Sequence, residues 1–328
     1  MQQQALPLIR LSFILSSIIC AVKFWAFFAT GSLIILSDAL ESIINVAGSA
    51  FAWYSIYLAG KPRDLDHPYG HGKIEFFSIG FEGGMIFLAG IGILGQAVLY
   101  FIEPKELHQL QTGIWLSAGA GVANFLLGYF LLIMGKRSNS ITLQGNGHHI
   151  LSDGYTSLGV IAALVLIWFT GAKWIDPLAS VIAAILLIYT GSKLVRKAIR
   201  GLMDEADMKL IDEITTILIN NRRPNWIDVH NLRVQRYGSN FHVDCHVTLP
   251  YYFSLEQVHK EISEMDELLN KGFEKGSIEF FIHTDPCIEP SCTHCLLTEC
   301  KVRRKSFLKK IEWSSENLLP NKKHQFPG

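Results

Sequence analysis

Six apolar runs, residues 8–30, 33–59, 77–101, 112–134, 141–170 and 174–192, constrain this chain more than any other feature. Each can supply the roughly 20 mostly apolar residues that a bilayer-crossing helix needs. Lipid offers backbone groups no hydrogen bonds, so a spanning segment must satisfy its own, as a helix does. The runs are therefore expected as six transmembrane helices of a multi-pass integral membrane protein. Composition agrees: 49% hydrophobic and 18% charged, with a mean hydropathy of +0.26, is too apolar for an ordinary soluble chain of 328 residues. A net charge of zero removes any general electrostatic case for nucleic acid as a partner. The first run carries Arg10, has no small-residue cleavage pattern and is soon followed by a second, so it reads as a span and not as a removed leader.

The connecting loops set orientation. Lys61, Arg63, Lys73, Lys136, Arg137, Lys193, Arg196, Lys197 and Arg200 fall on one side, and Lys105 and Lys173 on the other. Cytoplasmic loops collect the basic residues, so both termini are expected in the cytoplasm.

Composition changes after residue 203. MKLIDEITTILINNRR has helical apolar spacing, and IDVHNLRVQRYG and NFHVDCHVTLP read as two strands around a Gly-Ser-Asn turn. SLEQVHKEISEMDELLNKGF is a second amphipathic helix opened by Ser254, with Gln257 as capping-box partner, and GSIEFFIHTDP is a third strand. The expected fold is an α-helical membrane protein: six transmembrane helices, then a small cytoplasmic α+β domain (αββαβ, ferredoxin-like or metallochaperone-like) with two helices on one face of its sheet. The domains are residues 1–203 for the spans, 204–286 for the cytoplasmic metal-binding and dimerisation domain, and 287–328 for a Cys-rich segment with a basic, flexible tail.

In the fifth run, His149 and Asp153 stand four residues apart and share one helix face. Glu41 and Asn45 repeat that spacing in the second run, with Asp38 one turn earlier. Ionisable groups in a membrane are costly and usually face a partner, an ion or water. An imidazole, two carboxylates and an amide oxygen make a four-coordinate site for Zn²⁺ or another divalent first-row metal. Hydrogen bonds between helices are the plainer alternative. Asp64, His67 and His71 lie in the loop DLDHPYGHGK, where a cation site and a solvated turn are both open. The cytoplasmic domain adds His230, His242, His246, His259, His283 and Asp285, and a strand points His283 and Asp285 to one face.

Together these residues resemble the cation diffusion facilitator family of proton-coupled divalent metal exporters. The likeness covers about 285 residues: six spans, the DHPYGHGK loop, the ExxxN and HxxxD pairs, and the αββαβ domain. It implies a homodimer in a membrane (a bacterial inner membrane) that exchanges metal for protons at an intramembrane site of Glu41, Asn45, His149 and Asp153. It further implies a loop site at Asp64, His67 and His71, and a cytoplasmic cluster drawn from His230, His246, His259, His283 and Asp285. Lys73 and Asp204 fall where relatives form a charge interlock beside the membrane. Zinc- and iron-type relatives commonly carry Asp or His at the position of Glu41 and Asp at that of Asn45. Against an Asp, Asp, His, Asp set, this chain has one fewer potential negative charge at its transport site. His149 favours Zn²⁺, Fe²⁺ or Co²⁺ over Mg²⁺ or Ca²⁺, which prefer oxygen ligands; Cd²⁺ and Mn²⁺ also remain candidate cargo.

Cys287, Cys292, Cys295 and Cys300 lie outside the family pattern, with His294 among them. A Cys₄ structural zinc site is the preferred reading. Iron–sulfur ligation and a run of reduced cytosolic thiols are the alternatives. For the whole chain the competing functions are an intramembrane metal enzyme, for which there is no HExxH motif, and a membrane metal sensor reporting through the soluble domain and Cys-rich tail.

Overall fold

In the computed structural model the described residues are 2–102, 107–137, 141–237, 240–273 and 277–326. Lys105 and the Gly238–Ser239 part of the hairpin turn lie outside them. The chain forms two compact units, Met1–Lys61 with Ile74–Arg200, and Pro62–Lys73 with Gly201–Gly328.

The first unit consists of α1 (Gln2–Thr30), α2 (Leu33–Ala59), α3 (Ile74–Ile102), α4 (Leu110–Arg137), α5 (Ile141–Thr170) and α6 (Ile175–Leu202). All six contain a stretch long and apolar enough to cross a membrane. Helix α2 buries 61% of its most apolar window, against 22–39% in the others, which makes it the centre of the bundle. Large apolar side chains such as Phe28, Leu88, Trp115 and Phe169 point outward, as lipid-facing residues should.

Lipid gives helices little hydrophobic reason to associate, so they pack through small residues that let backbones meet. A Cβ at Gly128 of α4 would stand 2.6 Å from the backbone nitrogen of Leu151, and one at Gly147 of α5 would stand 2.8 Å from that of Leu132. That close seam fixes the turn of α5 that carries His149. The start of α2 is held differently. Asp176, in the first turn of α6, accepts from the Leu33 amide at 2.8 Å and from the hydroxyl of Ser32. A carboxylate there satisfies a backbone donor that the first helical turn leaves free.

The second unit contains α7 (Met208–Asn220), β1 (Asp228–Tyr237), β2 (Asn240–Leu249), α8 (Leu255–Gly272) and β3 (Ser277–Pro286), the αββαβ order. The strand order is β1-β2-β3, with β2 antiparallel to β1 and parallel to β3. Along β2 the odd-numbered Phe241, Val243, Cys245, Val247 and Leu249 are buried in one core with Leu210, Ile211 and Ile214 of α7 and Met265 and Leu269 of α8. The even-numbered His242, Asp244 and His246 therefore occupy the opposite face. Asp207 caps α7, and Ser254 with Gln257 forms the capping box of α8.

Within residues 287–328 the expectation is a Cys-rich segment and then a flexible basic tail; the described part of that tail is instead packed. Trp313 and Leu318, the latter in a short helix α9 (Ser315–Leu318), are buried in the same core as α7 and α8. The Arg222 guanidinium lies 3.8 Å from the Trp313 ring centroid and donates to Ile311 O. Strand β1 shifts register between His230 and Arg233, and there Asn231, at φ 56°, donates its amide to Pro320 O at 2.9 Å. The tail thus supplies an acceptor at a bulge on an edge strand. Its basic composition reads as solvent-exposed, whereas the few apolar residues between the charges decide its placement.

The 62–73 loop also packs into this unit. Arg63 makes a two-point contact with Glu279, at 3.2 and 2.6 Å, and Tyr69 stacks on Tyr237 at 5.6 Å.

Candidate metal sites

Within the spans, α2 and α5 bring Glu41, Asn45, His149 and Asp153 together. Asn45 Nδ2 donates to Asp153 Oδ2, and Asn45 Oδ1 lies 2.7 Å from His149 Nε2, so the amide bridges the histidine and the carboxylate. Glu41 accepts from the Thr156 hydroxyl at 3.4 Å. Glu41, His149 and Asp153 line a cavity of about 500 Å³ together with Asp38. Asp153 Oδ1 and Asp38 Oδ2 are buried and have no hydrogen-bond partner among the described residues. A buried carboxylate oxygen left in that state is expensive, and a proton or a cation relieves it.

Two further residues of the site, Lys23 and Glu82, escape a reading by helical spacing. Lys23 of α1 donates to Asp38 at 2.8 Å with both side chains about 1% exposed, and Ser157 donates to the same oxygen at 3.1 Å. Glu82 of α3 sets Oε1 3.2 Å from His149 Nε2 and rests against Gly48 of α2. Each stands alone on its own helix and reaches the site only through tertiary packing. Their one sequence signal was being charged within an apolar run. Glu82 supplies a negative charge near the position where Asn45 lacks one.

In the loop, His67 Nδ1 lies 2.9 Å from Asp64 Oδ1 and His71 Nε2 lies 3.4 Å from Asp64 Oδ2. A hydrogen bond from His67 holds the Asp64 carboxyl below its usual range. Lys73 Nζ donates to Asp204 Oδ2 at 2.9 Å, and Gln235 donates to the same oxygen at 3.3 Å.

Sheet register builds the cytoplasmic cluster. His230 pairs with His246 across β1 and β2, and His246 with His283 across β2 and β3, so three histidines stand abreast. Asp285 Oδ2 lies 3.4 Å from both His230 Nε2 and His246 Nδ1, and Asp285 Oδ1 lies 3.8 Å from His283 Nε2. His259 is not brought in. It is exposed on α8, which packs on the opposite face of the sheet. Among the described residues, Asp64–His67–His71 and His230–His246–Asp285 are the groups of three His, Cys, Asp or Glu whose ligand atoms lie within 4.8 Å of one another. His230 Nδ1 lies 3.4 Å from Asp228 Oδ2, so Asp228 orients the ring while Nε2 faces Asp285.

Cys287, Cys292, Cys295 and Cys300 line one cavity of about 270 Å³, and all four are free thiols. Burial pushes the Cys287 and Cys295 thiols up, favouring their protonated forms.

Residues 9–203 match the cation efflux transmembrane domain, and residues 206–287 match the cation efflux protein cytoplasmic domain. This chain belongs to the cation efflux family. It is 36% identical over 238 residues to an uncharacterised transporter of Synechocystis sp., covering 73% of this chain and 77% of that one. It is 25% identical over 273 residues to the cation-efflux pump FieF of Pectobacterium atrosepticum, covering 82% and 88%. With FieF of Yersinia pestis the figures are 23% over 278 residues, covering 83% and 90%. The chain is thus a multi-pass membrane protein of a cation transporter family.

Proposed function

We propose that this protein exports a divalent transition-metal cation, Zn²⁺ foremost and Fe²⁺, Co²⁺, Cd²⁺ or Mn²⁺ as alternatives, in exchange for protons. The observation that carries the proposal is the α2–α5 cavity, where Asp153 Oδ1 is buried beside Glu41 and His149 with no hydrogen-bond partner among the described residues. His149 Nε2 has acceptors in Asn45 Oδ1 and Glu82 Oε1, so in the resting site it carries a proton toward them. A metal ligand must give that proton up. Metal arriving from the cytoplasm takes Nε2 and the carboxylates and expels protons; protons from the opposite side then return and eject the metal.

The same reading places both termini in the cytoplasm, the protein in a bacterial inner membrane, and two copies in a homodimer joined through the 206–287 domain. The cytoplasmic cluster and the loop group then hold ions that are not cargo. The test is metal uptake into proteoliposomes, with and without a pH gradient, for wild type beside Asp153→Ala. Proton-dependent flux of one metal, lost in the variant, is the expected result. No flux of any metal from folded, inserted protein would replace the transporter by the sensor.

A further inference from the structure

We propose that Cys287, Cys292, Cys295 and Cys300 form a tetrathiolate site for Zn²⁺ in the cytoplasmic domain, distinct from the sites that the transport reading uses. The family match ends at residue 287, so the segment that builds this site lies almost wholly beyond it. Four sulfur donors are the usual shell of a structural zinc ion.

The backbone around the thiols is fixed as a zinc loop requires. Cys287 follows β3 directly and donates its amide to Leu249 O at 2.9 Å, at the end of β2. The Tyr251 amide in turn donates to Cys287 Sγ at 3.4 Å, the outer hydrogen bond that supports a metal-bound thiolate. A short 3₁₀ helix, Glu289–Thr293, presents Cys292. Arg303 then closes the loop. Its guanidinium donates to Cys292 O at 2.6 Å, Cys295 O at 3.1 Å and Leu297 O at 2.5 Å, and its amide donates to Cys300 O at 3.3 Å. A zinc ion with four thiolates carries two net negative charges, and Arg303 and Arg304 both line the cavity that would hold it. His294 does not line that cavity, and its ring packs edge-on against Phe326 at 6.2 Å.

No three of the four sulfurs lie within 4.8 Å of one another, the spacing that defines the two histidine groups. Zinc–sulfur bonds of about 2.3 Å need sulfurs roughly 3.8 Å apart. A bound ion would draw the sulfurs inward by side-chain rotation on the fixed loop. On binding, each thiol loses a proton to solvent and each sulfur donates a pair to the metal.

The full-length protein in detergent decides the matter with Co²⁺ as the spectroscopic probe and Zn²⁺ as the protecting ion. Co²⁺ should give thiolate charge-transfer absorption that His246→Ala keeps and Cys292→Ser/Cys295→Ser loses. In wild type, Zn²⁺ should slow alkylation of these four thiols at least about tenfold, leave Cys20 and Cys245 unchanged, and be reversed by a chelator. The alkylation arm needs no variant, so a misfolded double mutant does not spoil the test. Equal alkylation with and without Zn²⁺, iron–sulfur absorption in the purified protein, or disulfides among the four under reducing preparation would each overturn the assignment.

Discussion

Lys323 sets its ammonium 3.7 Å from Asp285 Oδ2, the carboxylate oxygen that faces His230 and His246. The tail therefore places a cation of its own at the cytoplasmic cluster, and Lys323 also donates to Pro286 O at 3.1 Å. A divalent ion bound by Asp285 has to contend with that charge. Lys323→Ala should tighten Zn²⁺ binding at the cluster about threefold to fivefold, the scale of a partly solvated pair. Chelator competition on an Asp153→Ala background reads this directly, and an unchanged affinity would remove Lys323 from the account.

Glu82 gives the second prediction. Its carboxylate stands 3.2 Å from His149 Nε2, so on the proposed reading it stabilises positive charge at the transport site, whether proton or metal. Glu82→Gln should weaken Co²⁺ binding there by about tenfold, a modest share of the interaction of two charges at an intermediate dielectric. Adding Asn45→Asp to that variant should restore much of the loss by returning a negative charge one helix away. Binding is best followed with His246→Ala in the background, so that the cytoplasmic cluster does not contribute. If Glu82→Gln binds and transports as wild type does, Glu82 is only a packing neighbour of Gly48.

Part of this geometry was legible before any coordinates. Four-residue spacing puts Glu41 with Asn45 and His149 with Asp153 on single helix faces, because the helical period allows little else. Alternation along β2 likewise separates His246 from the core residues Cys245 and Val247. Lys23 and Glu82 were not legible, since each is isolated on its helix and only packing of α1 and α3 against α2 supplies its partner. Within one chain His259 stays apart from the cluster, and its sequence position could not show this, since a histidine on a helix carries no mark of which sheet face that helix covers. The tail misled because Trp313 and Leu318 are diluted among charges, and two buried anchors do not make a period.

Acid should loosen the tail. Asp228 is buried, which alone would raise its carboxyl, yet hydrogen bonds from His230 and His324 and the His324 charge hold it well below the usual range. A depressed value means that the stabilisation is whole above the ordinary carboxyl pKa of about 3.9 and fades as pH falls through the folded value. Pepsin should therefore begin to cut residues 319–326 as pH falls below about 4. Asp228→Asn should make the tail susceptible to neutral proteases at pH 7, at least about fivefold faster than wild type, which corresponds to one lost charged hydrogen bond. A tail equally resistant in the variant would mean that Trp313 and Leu318 hold it unaided.

The α4–α5 seam tests whether backbone contact, more than side-chain bonding, sets the position of His149. Gly128→Ala puts a methyl group 2.6 Å from Leu151 N, and neither backbone can yield without the helices parting. Overpacking of this kind costs about 1–3 kcal/mol. It should also shift the His149 turn relative to Asn45, where a 2.7 Å contact leaves no slack. We expect a lower melting temperature in detergent and at least tenfold less metal flux. Gly119→Ala, on the same helix with nothing within 4 Å of the added carbon, is the control and should change neither. Flux retained in Gly128→Ala despite a lower melting temperature would show that the site tolerates movement of α5, and that the contacts of His149 with Asn45 and Glu82 hold it by themselves.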